Sequence, residues 1–259
     1  MKQHENYKEL IWMLAKTDFK LRYHGSFLGY LWALLKPLLT FAILNFVFSS
    51  VFNMRNIDGT DTYSLQLLVA LMMFYFFAEG TGAGMNSLLS KSQLVTKIYV
   101  PRWTIILAST INATLIFLMN LVVIIFFFAI NGFMPSLPAI GMFLLFSVFI
   151  YIIVLSFSLI TAPLYVKFRD LSMIWEVLLM IIMYGSPIIY PLSTLPAKYH
   201  TLILLNPLAF IIHFTKESLI NNHFASFNQY AVFVSIVFGA FGLSIWSYRK
   251  LAPRIAEDI

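Results

Sequence analysis

The stretch LILLNPLAFIIHF, residues 202–214, decides how many times this chain crosses a bilayer. A helix rises about 1.5 Å per residue and the hydrocarbon core is about 30 Å thick, so one span needs about 20 largely apolar residues. This run has 13 residues and is broken by Asn206 and Pro207. Proline lacks a backbone donor and ends or kinks a helix. The stretch therefore suits two half-membrane helices joined at Asn206–Pro207, a re-entrant or interfacial segment, better than a span.

The rest of the chain makes the bilayer the right frame. Of its 259 residues 60% are hydrophobic and 11% charged, with a mean hydropathy of +0.84, whereas a soluble domain carries roughly a quarter charged residues. Apolar runs at 31–52, 65–84, 103–130, 137–166, 171–190 and 230–246 predict six transmembrane helices in an all-α integral membrane protein. Residues 1–29 are read as an N-terminal segment, 30–250 as the transmembrane domain and 251–259 as a tail. The first apolar run starts after about 26 residues with no signal-peptide pattern before it, so the N-terminus is expected to be retained. With no cysteine in the chain, disulfide scaffolds and thiolate chemistry are excluded.

Charge tests the six-span count. With both termini cytoplasmic, 14 of the 17 Lys and Arg residues fall on the inner side, leaving Arg55, Lys198 and Lys216 outside. A seventh span at 202–214 would expel Arg249, Lys250 and Arg254. Trp32, Trp103, Trp175 and Trp246 all fall at predicted cytoplasmic span ends, where an amphipathic ring favours the headgroup level. The net charge of +6 is then a matter of topology and anionic lipid, and no nucleic acid is called for.

Residues 7–23 read as an amphipathic helix in the interface, serving either as a surface anchor or as a dock for a cytoplasmic partner; Asp18 and Arg22 intrude on its apolar sector. Gly25 and Gly29 mark a bend, and the regular part of the first span is expected to begin near Pro37. Lys36 beside it can extend its ammonium to the headgroups, and an ion pair with Glu79 at similar depth in the second span is expected. After Glu79, the glycines of GTGAG (80–84) allow two backbones to approach closely. Tyr75, Tyr151 and Tyr184 lie mid-span, where each hydroxyl needs a partner: either a neighbouring helix or a polar translocation path whose sugar rings stack on aromatic faces. Between the second and third spans, residues 87–103 are read either as a basic loop that enforces topology or as a short cytoplasmic helix. The five histidines have no metal-ligand spacing, and neither a catalytic constellation nor a GxxxxGK[ST] phosphate loop occurs. Any ATP dependence must come from a partner.

RYHGSFLGYLWALLKPLL (22–39), KSQLVTKIYVPRW (91–103), FRDL (168–171), GSPIIYP (185–191) and LNPLAFII (205–212), in that order, resemble the permease of ABC-2 type polysaccharide exporters, which carry O-antigen, capsule and teichoic-acid chains. The resemblance implies a non-catalytic half-transporter in the plasma (inner) membrane. It would form a homodimer with two ATPase subunits, which bind ATP and Mg, and move a lipid-linked glycan outward. It also implies that the segment joining the second and third spans docks on the ATPase; in the short-helix reading of 87–103, Leu94, Ile98 and Tyr99 pack in the ATPase cleft while Lys91, Lys97 and Arg102 fix orientation. The region 192–228, with Asn206 and Pro207 at its turn, would form external gate helices. A permease for a drug or small lipid, and more distantly a membrane-embedded transferase, are the competing readings.

Overall fold

A computed structural model describes residues 7–22, 25, 27–52, 62–97 and 100–254. Among these the ordered elements are all helical: α1 (Tyr7–Arg22), α2 (Trp32–Asn45), α3 (Tyr63–Ser90), α4 (Ser92–Lys97), α5 (Arg102–Ile130), α6 (Leu137–Lys167), α7 (Leu171–Gly185), α8 (Ala197–Leu204), α9 (Pro207–Lys216) and α10 (Phe227–Leu251). Five of the expected apolar runs lie in helical stretches of 23 to 31 residues, Gly29–Val51, Tyr63–Ser90, Arg102–Ile130, Leu137–Lys167 and Phe227–Leu251, each long enough to cross a bilayer.

The helix α3 is the axis of the bundle, and most of its length is buried. It packs against α6 on one side and α5 on another. The glycines of GTGAG explain how closely. A Cβ at Gly84 would stand 1.9 Å from Ser158 Oγ, and one at Gly80 would stand 2.7 Å from Val154 Cγ1. Any larger residue would push α6 away, so the small-residue spacing serves an intramolecular helix pair. Above these glycines, Phe76 stacks on Phe117 of α5 with centroids 4.4 Å apart.

Two boundaries differ from expectation. A turn at Gly29–Leu31 leads directly into α2 at Trp32, so Pro37 lies inside the helix and does not open it. The bend before it uses positive φ at Gly25 (79°) and Gly29 (51°), which only glycine adopts readily. The run 171–190 is not one helix. It ends at Gly185, with Ser186 extended and Pro187 unable to donate, which leaves α7 with 15 residues, about 22 Å and short of the hydrocarbon core. The following turn is pinned by Lys216, whose buried ammonium donates to the Pro187 carbonyl, and by the Tyr63 hydroxyl, which donates to the Ile189 carbonyl at 2.8 Å.

The stretch 202–214 folds as a break. The axes of α8 and the helix beginning at Pro207 meet at 113°. Asn206 caps α9 by accepting the Leu208 N–H at 3.0 Å, and Pro207 occupies the first turn, where its missing donor is not needed. The two halves differ in burial: α8 buries nothing, while α9 buries Leu208 to Ile212 and Phe214 to Lys216 against α3, α6 and α10.

Candidate functional site

The functional side chains identified from sequence concentrate at the end of the bundle where α1 lies. This helix packs on α5: Ile11 and Ala15 are buried against Ala108, and Tyr7 meets Trp103 edge-on at 5.7 Å. The two charges that interrupt its apolar stripe, Asp18 and Arg22, stand one turn apart and both point at α3. Asp18 pairs with Lys91 at the C-terminal end of α3, and Arg22 pairs with Glu79. The first pair is the more enclosed, with 14% of the Lys91 side chain and 22% of the Asp18 side chain exposed, against 37% and 29% for Arg22 and Glu79. Lys91 also donates to Ser109 Oγ of α5 at 3.3 Å. Thus Lys91 ties three helices together and is not turned outward to orient a partner, as the sequence reading had it.

Glu79 is likewise claimed by a different cation from the expected one. Among the described residues its salt bridge is to Arg22, and no carboxylate lies within 4 Å of the Lys36 ammonium. Depth along the spans brings Lys36 to Glu79's level, but α1 crosses beneath and delivers a guanidinium that Glu79 takes instead. Lys36 and Glu79 nevertheless line one cavity of about 210 Å³.

The segment that follows Lys91 is short and fastened at both ends. α4 spans Ser92–Lys97; Leu94 within it is partly exposed, and Val95 packs toward a cluster of Leu88, Ile105, Ile106, Leu159, Ala162 and Val166. Ile98 and Tyr99 lie outside the described residues, as does the side chain of Lys97. At the far end, Arg102 opens α5 and its guanidinium donates to the Ala252 carbonyl just past α10. A cation at a helix C-terminus also complements the helix dipole. The α3–α5 connector therefore holds the N-terminal helix through Lys91 and the C-terminal helix through Arg102.

The three mid-span tyrosines go separate ways. The Tyr75 hydroxyl donates to Thr40 Oγ1 of α2 at 2.8 Å, and its ring lines the same cavity as Glu79. Tyr151 lies 3.4 Å from Thr110 Oγ1 and is partnered by a neighbouring helix. Tyr184 is 62% exposed on the outer face of α7. Trp175, expected at the headgroup level, is buried: its indole N–H donates to Thr81 Oγ1 at 3.1 Å and its ring lies on Phe157. It is the buried residue that docks α7 onto α3 and α6. Two groups escaped sequence reading. Asn120 is a polar side chain buried in an apolar run, and its signal is its isolation there; Lys216, flanked by Thr215, Glu217 and Ser218, gives no such signal and reads only as an external charge. Among the described residues no group of three or more His, Asp or Glu side chains could hold a metal ion.

The comparisons with known proteins agree with one another. Residues 9–220 match the family model described as ABC-2 type transporter. An O-antigen export system permease protein, RfbA, of Klebsiella pneumoniae is 30% identical over 250 residues, covering 96% of this chain and 94% of that one. RfbA of Myxococcus xanthus is 28% identical over 208 residues, covering 78% and 76%. The polysialic acid transport protein KpsM of Escherichia coli is 22% identical over 249 residues, covering 92% and 93%. This chain is a multi-pass inner-membrane protein and belongs to the ABC-2 type transporter membrane family.

Proposed function

We propose that this chain is the permease subunit of an ATP-driven exporter that moves a lipid-linked polysaccharide outward across the inner membrane. Two copies work with two ATPase subunits, which bind the ATP and Mg. The cargo assignment is supported by relatives named for O-antigen export and polysialic acid transport over nearly their full lengths. The observation that carries the mechanism is the connector between α3 and α5, fastened to α1 by Lys91 and to the end of α10 by Arg102. A displacement applied at α4 by an ATPase then reaches the N-terminal helix, two long helices and the C-terminal helix together, because the charged contacts and the small cluster around Leu88 join them. The exposed part of α4, with Leu94, is the surface the ATPase seats.

In this reading α7 together with the turn that follows it completes the sixth crossing, so both termini and the connector face the cytoplasm, as the 14-to-3 distribution of basic residues favours. The bent α8–α9 pair lies on the outer side and covers the exit. Exchange of Leu94 for Asp tests the coupling surface. The variant should insert and accumulate normally in the membrane but lose co-purification with the ATPase, or hydrolyse ATP without surface glycan appearing. Normal binding together with normal export would reduce the connector to a loop. The topology has its own check in this cysteine-free chain. Ala197→Cys and Ala225→Cys should both react with an impermeant thiol reagent in intact cells, and protection of either one until the membrane is opened would contradict the arrangement.

A further inference from the structure

The cavity of about 210 Å³ enclosed by the end of α1 and by α2, α3 and α5 has an unusual lining for a space inside apolar helices: Arg22, Trp32, Lys36, Tyr75, Glu79 and Asn120 all border it. Its charges do not balance. Arg22 is paired with Glu79, while no carboxylate among the described residues lies within 4 Å of the Lys36 ammonium. Lys36 is exposed at the mouth of this space, one turn into α2, so its ammonium is open to an anion, and with one carboxylate against two cations the lining favours one more negative charge.

A second observation is independent of charge. Asn120, 4% exposed, donates its amide to the Ile116 carbonyl at 3.0 Å, yet its Oδ1 is buried with no hydrogen-bond partner. A buried acceptor of this kind is rarely left unpaired in a native structure, and an explanation is owed for it. What it lacks is a donor. The wanted ligand therefore carries an anionic group for Lys36 and, close by, a hydroxyl for Asn120.

We infer that this cavity binds the head group of a glycosyl phosphate lipid, with the phosphate on Lys36 and Arg22 and a hydroxyl of the first sugar on Asn120 Oδ1. The guanidinium presents a planar fork suited to phosphate oxygens, and the lysine adds a point charge. The exposed indole of Trp32 offers an apolar face to the sugar ring. The volume admits a phosphate and little more than one sugar, so the site reads the lipid-proximal end of a chain and is indifferent to its length. The hydrocarbon tail remains outside, along the exposed face of α2. In the empty site Glu79 occupies Arg22; the arriving phosphate competes with it for the guanidinium.

This inference rests on the export function proposed above and deepens it. The test uses the full chain with its ATPase in phosphatidylcholine nanodiscs and three labelled probes: an alkyl glucosyl phosphate, the alkyl glucoside lacking the phosphate, and phosphatidylmethanol, an anionic lipid whose head group has no hydroxyl. The glucosyl phosphate should bind at least about tenfold more tightly than the glucoside, the scale of one charge-assisted contact. Lys36→Gln should weaken both phosphate probes about tenfold and leave the glucoside unchanged, whereas Lys36→Arg should retain binding. Asn120→Leu should weaken the glucosyl phosphate and spare phosphatidylmethanol. Glu79→Gln should strengthen both phosphate probes, a gain that a merely structural carboxylate would not give.

If Lys36→Gln binds all three probes as the unaltered complex does, the site is overturned. Equal binding of phosphatidylmethanol and glucosyl phosphate, insensitive to Asn120→Leu, overturns the sugar assignment in favour of a bulk anionic lipid. Co-elution of each variant with the ATPase confirms that it has folded. Glycan export measured in parallel separates the two proposals. An exporting complex indifferent to Lys36→Gln keeps the function and loses the site, and a complex that binds as described without exporting glycan keeps the site and loses the function.

Discussion

At the end where α1 crosses the bundle, helices are joined by charges: Asp18 to Lys91, Arg22 to Glu79, Arg102 to the Ala252 carbonyl. At the end where α8 and α9 fold back, the helices are joined by rings, and the buried Lys216 ammonium serves only to hold the turn after α7. Phe210 of α9 stacks on Phe233 of α10 at 4.6 Å, and Phe146 of α6 approaches both nearly edge-on at 6.2 and 6.0 Å, with all three side chains buried. The two chemistries have different mechanical characters. Ring packing is short-ranged and close-fitting, so it resists small displacements and is lost when it parts. Ion pairs near the interface have shallow distance dependence and can exchange partners as helices slide. Under the proposed function the difference suits an end that receives the ATPase stroke, opposite a fold-back anchored on one side by α9, with α8 left outside the core.

The comparison can be broken first at the rings. Phe210→Ala removes a fully packed side chain and should cost about 3–5 kcal/mol, read as a large fall in the thermal midpoint of the detergent-solubilised protein and independent of salt. Next comes Asp18→Asn, which leaves the enclosed Lys91 ammonium without its counter-charge; about 1–3 kcal/mol should be lost. The exchanged pair, Asp18→Lys with Lys91→Asp, should recover much of it, and a double variant no better than the worse single one would remove the pair from the account. The smallest effect belongs to Arg22→Gln. Because that bridge is about one-third exposed, it should contribute under about 1 kcal/mol, and the contribution should vanish above about 0.5 M salt. A salt-insensitive loss there would mean that the two ends are built alike after all.

Much of this architecture is legible in the chain, because hydrocarbon thickness imposes a length on each apolar run. Residues 202–214 declare themselves a break by being short and carrying Asn-Pro, and GTGAG declares a close helix contact. Hydropathy has no comparable sensitivity to helix termination, so the apolar residues Ile188, Ile189 and Tyr190 extended the apparent fifth span past Gly185. Depth is readable from sequence but azimuth is not. Tyr75, Tyr151 and Tyr184 look equivalent along the membrane normal, and only the rotation of each helix gives one to a polar cavity, one to a neighbouring threonine and one to the outside. For the same reason Glu79 could be assigned to Lys36 while its partner was Arg22. The warning was already present in α1, whose apolar stripe is spoiled at Asp18 and Arg22, the two positions that reach across to α3.

The two clamps on the α3–α5 connector also set an order for biogenesis. Asp18 leaves the ribosome 73 residues ahead of Lys91, and Arg102 leaves 150 residues ahead of Ala252. Two spans must enter the bilayer before α1 meets the lysine that holds it, so until then the N-terminal helix rests on the lipid surface by its apolar stripe alone. The second clamp can close only once residue 252 has been made. Under the proposed function, the surface offered to the ATPase would thus gain its second clamp late in synthesis, and a chain cut short of Ala252 would lack it.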